Sequence, residues 1–63
     1  MPQTLAAFAR SNETPAQAAA RALRSGATLA KLADPTEPAR EGLTADEAAE
    51  IAAEDPGLIE VLS

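Results

Sequence analysis

The sequence predicts an all-α protein: a small single-domain bundle of three to five short helices. Three observations carry that expectation. Seventeen of the 63 residues are alanine, the residue with the best intrinsic helix propensity. Two threonines, Thr14 and Thr44, each stand three residues before a Gln or Glu, the spacing of a capping box at a helix start. Apart from Pro2 and Pro15, the prolines and glycines fall between the alanine-rich stretches, where they act as breaks.

The first helix is expected over Gln3 to Ala9, with Met1, Leu5 and Phe8 recurring at helical spacing along one apolar edge. The run RSNE then breaks it. The second helix has the clearest start. Thr14 is its N-cap, Pro15 occupies the first helical position where its missing N–H costs nothing, and Gln17 closes the capping box. Ala16, Ala19, Ala20 and Leu23 share a face, and Gly26 is the natural stop. A short third helix is expected from Thr28, with Leu29, Leu32 and Ala33 inward. The stretch DPTEPAREG, residues 34–42, reads as a proline-rich connection that could hold one helical turn after Thr36.

The fourth helix begins at Thr44, with Glu47 as capping-box partner and Leu43 placed to staple onto Ala48. Ala48, Ile51, Ala52 and Asp55 form its inner stripe, and Glu47, Glu50 and Glu54 a separate acidic stripe. The chain closes on EDPGLIEVLS, which holds four of its twelve bulky apolar residues: Leu58, Ile59, Val61 and Leu62. Asp55-Pro56 is a helix start signal, so this tail is expected to be helical, with a β-strand as the alternative because Ile and Val favour strands. A shift of 30 residues lays TPAQAAARA on TADEAAEIA, Leu29 on Ile59 and Leu32 on Leu62. Shared capping logic in an alanine-rich chain accounts for the match, and it favours the helical tail.

Charge is segregated along the chain. Residues 1–33 carry four basic residues against Glu13, and residues 34–63 carry nine acids against Arg40, for a net charge of −5. The domain therefore reads as a basic half (1–33), the connection (34–42) and an acidic half (43–63). The two halves can attract each other, or the acidic face can meet a basic partner. Nonspecific nucleic-acid binding is disfavoured, since phosphate repels such a chain.

Enzymatic chemistry has little to work with. The chain has no Cys, His, Tyr or Trp and no glycine-rich phosphate loop. Glu50 and Glu54 could form an acid/base pair only on a polar helix face, where solvated surface explains them as well. The carboxylates of ADEAAEIAAED lack the alternating spacing of a calcium loop. No catalytic residue, cofactor or metal site is expected. The opening MPQTLAAFAR has no apolar run of signal-peptide length, and no later run could span a membrane, so a cytoplasmic protein is expected. Abundant Ala, with Arg outnumbering Lys four to one, points to a bacterial or phage coding context.

What remains is protein–protein interaction, as an adaptor or inhibitor, with two candidate partner-binding surfaces. One is the acidic stripe Glu47, Glu50 and Glu54; the other is the tail, Leu58, Ile59, Val61 and Leu62. The partner is another protein, one with a basic surface, or a second copy in a homodimer. Two narrower alternatives stand beside this. The first is a nucleic-acid-mimicking inhibitor that presents carboxylates to a basic enzyme. The second is a divergent helix-turn-helix DNA binder, suggested by Ala22 four residues before Gly26, with Thr28 and Lys31 as base readers.

Overall fold

The computed structural model describes residues 2–62, so the expected contribution of Met1 to an apolar edge lies outside the described residues. The chain runs β1 (Gln3–Thr4), α1 (Leu5–Phe8), α2 (Pro15–Arg24), β2 (Thr28–Lys31), β3 (Arg40–Glu41), α3 (Ala45–Glu54), a single 3-10 turn (Pro56–Leu58) and β4 (Ile59–Leu62). The fold is therefore not an all-α bundle. Three helices lie over a four-stranded antiparallel sheet of order β1-β4-β2-β3.

The two capped helices form as the sequence predicts. The Thr14 hydroxyl accepts from the Gln17 amide at 3.2 Å, and Gln17 Oε1 accepts from the Thr14 amide at 3.0 Å. Thr44 and Glu47 repeat this reciprocal pair, both bonds at 3.2 Å. Helix α2 ends in a Schellman motif: Ala27 N–H donates to Ala22 O and Gly26 N–H to Leu23 O, with Gly26 at φ 90°. A side chain is strained at that φ, so glycine suits the position and turns the chain back towards the sheet.

Each of these two helices leads into a strand, and this overturns the expected third helix and the expected helical tail. The Asp55-Pro56 start signal works: the Asp55 carboxylate accepts from Gly57 N–H at 3.0 Å. The helix it begins stops after one turn. Beyond it, Ile59 and Val61 alternate inward while Glu60 and Leu62 alternate outward, and β4 pairs on both sides, with β1 and with β2. The most apolar segment of the chain thus supplies a central strand, where β-branched residues pack well on a pleated surface. The first helix is correspondingly shorter than expected, because Gln3 and Thr4 are drawn into the sheet opposite Val61 and Glu60. No helical turn forms after Thr36. Instead the Asp34 carboxylate caps a tight turn, accepting from the Thr36 and Glu37 amides, and leads into β3.

All three helices cover one face of the sheet. The core gathers Leu5 of α1, Ala18, Ala19 and Ala22 of α2, Leu29 of β2, Leu43, Ala48 and Ala52 at α3, and Ile59 and Val61 of β4. Leu5, Leu29 and Ile59 are its largest fully buried side chains. Alanines on the facing sides of α2 and α3 let these helices approach closely. The inward face of α2 is rotated from the expected one: Ala16 is exposed, and Ala18 and Ala22 are buried in its place. Gln17, Arg21 and Arg24 line one side of α2, and this leaves the side of Ala18, Ala19 and Ala22 to face the core.

Candidate functional site

Among the described residues, no helix lies over the other face of the sheet. Register and strand alternation say which side chains it carries. Leu29 lies opposite Val61 and Lys31 opposite Ile59, and these pairs point towards the helices. The alternate pairs, Thr28 with Leu62 and Ala30 with Glu60, therefore point away. The ladder extends one step further, where Leu32 N–H donates to Leu58 O at 2.7 Å; alternation puts Leu32 on the outer face, and Leu58, at the end of the 3-10 turn, is exposed at that end of the sheet. Glu41 of β3 stands beside Ala30, and Thr4 of β1 beside Glu60.

Three rows result. Leu62 and Thr28 form the first, Glu41, Ala30, Glu60 and Thr4 the second, and Leu32 and Leu58 the third. Ala30 is only 6% exposed yet belongs to no part of the helix-side core. Its neighbours on the outer face cover it. Leu58, at 37%, is the most exposed large apolar side chain among the described residues. Leu32 and Leu62 are half-buried.

Charge is sorted across the sheet. Lys31 and Arg40, opposite each other on β2 and β3, share the helix side. Lys31 is bound to Glu37 at 2.8 Å, and Arg40 pairs with Glu47 of α3. Glu41 and Glu60 are on the outer face, and among the described residues neither has an ion-pair partner. The bases of the strands are thus neutralised beside the helices, and the carboxylates of the strands are left free on the uncovered side.

Comparison with protein-family models, curated proteins and solved structures returned no match.

The fold separates the acidic stripe from half of the tail. Glu47 is engaged twice, by the Thr44 amide and by Arg40; these bonds, the amide's first, hold its carboxyl below the usual range against the opposing effect of burial. Glu50 and Glu54 remain on the outer side of α3, beside a shallow depression lined by Ile51 and Ala53. The tail divides: Ile59 and Val61 are buried in the core, Leu62 lies on the outer face, and Leu58, in the 3-10 turn before β4, is exposed. The stripe and the outer half of the tail are thus on opposite sides of the molecule. The second helix that a helix-turn-helix needs is β2, with Thr28 and Lys31 on opposite faces of it.

Sequence reasoning missed Ala30, Leu32, Glu41 and Glu60 as surface partners of Leu58 and Leu62. The 30-residue match held the signal. It lays Leu29 on Ile59 and Leu32 on Leu62, and read as strands those pairs separate an inner from an outer residue in each unit.

A second polar cluster is structural. Arg21 of α2 binds Glu13 through two bonds of 2.8 Å, donates to Phe8 O at 3.2 Å and lies 4.3 Å above the Phe8 ring. It ties α1 to α2. The Arg21 bond, seconded by the Arg10 amide, holds the Glu13 carboxyl down at about 2. Among the described residues no three carboxylates converge as a metal-holding group, and no helix is long and apolar enough to cross a membrane.

Proposed function

We propose that this chain is a non-catalytic protein-interaction module, an adaptor or inhibitor acting in the cytoplasm, and that it meets its partner through the uncovered sheet face. The observation that carries this reading is the leucine content of that face. An antiparallel sheet tolerates one solvated side, but that side is ordinarily polar. Here Leu32, Leu58 and Leu62 stand on it, away from the core. In a chain with twelve bulky apolar residues, placing three where they do not stabilise the helix-side core is costly unless another surface covers them.

Site-specific photo-crosslinking in the native host tests the reading. A photoreactive residue at position 58 is expected to give covalent adducts with another protein, and one at position 53, on the exposed side of α3, is expected to give none. The reverse pattern would move the interface to Glu50 and Glu54 and favour the nucleic-acid-mimicking inhibitor. Adducts only with a second copy of the chain would make the face a dimer interface.

A further inference from the structure

Resting on that reading, we infer that the occupant of the sheet face is a cationic amphipathic helix, with one lysine or arginine flanked on either side by an apolar residue about one turn away. Three features of the face point to it.

The first is width. The four strands lie about 4.8 Å apart, which sets the axes of the two edge strands about 14 Å from each other, and those edge strands are only two residues long. An α-helix with its side chains is about 10–12 Å in diameter. A single helix laid along the strands spans most of that width. The exposed edges, Gln3–Thr4 and Arg40–Glu41, are too short to recruit a partner strand over any useful length.

The second is charge. Glu41 and Glu60 occupy one row with Ala30 between them, about 10 Å apart by strand spacing. Ala30, with its single methyl, puts no bulky or charged side chain between the two carboxylates. A cationic side chain lying over Ala30 faces both at once, and no other strand residue competes, because Lys31 and Arg40 are on the far side and already paired. The same pattern argues against a second copy. Packing this face on itself would bring four carboxylates together with no base to offset them.

The third is spacing. The leucine rows lie two residues to either side of the carboxylate row, about 6.6 Å along the strands. Four residues of helix rise about 6 Å. A helix reading apolar-x3-Lys/Arg-x3-apolar therefore sets its base over Ala30, one apolar residue against Leu62, and the other against Leu32 and Leu58.

The probe is a synthetic alanine-based helical peptide carrying Leu-x3-Lys-x3-Leu, titrated into the labelled full chain and read by amide chemical shifts. Two control peptides accompany it, one with Glu for Lys and one with the same composition scrambled. Expected shifts cover Thr28–Leu32 and Leu58–Leu62. Affinity should fall at least about tenfold in Glu60→Lys and in Glu41→Lys, and several-fold as salt rises from about 0.05 to about 0.5 M. Both substitutions are on the solvated face, and circular dichroism of each variant checks that the fold persists. Absence of shifts, shifts centred on α3, equal binding of the scrambled or glutamate peptide, or unchanged affinity in both variants would each overturn the inference. Should crosslinks at position 58 identify a partner while this peptide does not bind, the interaction face stands and the cationic-helix assignment fails.

Discussion

Residues 14–32 and 44–62 build the same unit twice, and they differ in charge far more than in form. Each has a threonine cap with a closed capping box, a ten-residue helix and a four-residue strand. Buried positions coincide at the 30-residue offset: Ala18 with Ala48, Ala22 with Ala52, Leu29 with Ile59. The ladder between the strands maps onto itself under the same shift, since Leu29–Val61 becomes Ile59–Lys31 and Ala30–Glu60 returns to itself. The two units therefore meet about an approximate two-fold relation, with α2 packed on α3 and β2 paired with β4. Their charges diverge. Helix α2 ends on Arg21 and Arg24, which suit the negative end of its dipole, whereas α3 has no base in its last turn and ends on Glu54. The form is held by caps and small buried residues that both units keep. The charge is where they part, and it leaves carboxylates free on the second unit.

Substitutions at equivalent positions sharpen this equivalence or break it. The largest effect is expected from Leu29→Ala and Ile59→Ala. Each deletes a fully buried side chain from a central strand and should lower stability by about 2–5 kcal/mol in urea unfolding. Losses that differ by more than a factor of two would mean the strands are not equivalent. Leu58→Ala, one residue from Ile59 on the outer side, should change stability by no more than about 0.5 kcal/mol.

Next come the caps. Thr14→Ala and Thr44→Ala should each cost about 1 kcal/mol by loss of the hydroxyl that accepts from the third helical amide. Matched drops in thermal midpoint would show that both boxes do the same job.

A difference between the units is expected in acid. Glu13 has no counterpart in the second unit, where Leu43 occupies its place. Its carboxyl is lowered to about 2 from an ordinary 4.5, so its bond to Arg21 contributes full stability above pH 4.5 and loses it as pH falls towards 2. Thermal midpoints of the protein and of Glu13→Gln should differ at neutral pH and converge near pH 2. Parallel curves would mean that Glu13 does not carry this part of the acid sensitivity. The smallest change is expected from Glu54→Lys, which gives α3 the basic last turn that α2 already has. It should raise the thermal midpoint by less than either cap substitution lowers it.

The legible parts of the fold were those set by near neighbours. Thr14, Gln17, Thr44 and Glu47 announced their boxes because a capping box spans four residues. Gly26 announced a helix end and Asp55-Pro56 a helix start, and both are present. The strands were illegible for definite reasons. Strands β1 and β3 are two residues long, too short to show alternation. In β2, Thr-Leu-Ala-Lys suits a helical turn as well as a strand. At the candidate site, Leu58 and Leu62 were named along with Ile59 and Val61, because only strand geometry puts neighbours on opposite faces. Glu41 and Glu60 went unnamed because they become neighbours of Ala30 only through pairing between distant segments.

The sequence by itself determined where each capped helix begins, where α2 stops and which segments are apolar, since hydrogen bonds within a few residues of each signal decide these. Whether an apolar segment becomes strand or helix, and which of its residues face the core, was decided by tertiary structure. A strand's backbone bonds are satisfied only by another strand, and the partners of β4 lie far earlier in the chain, in β2 about thirty residues back and in β1.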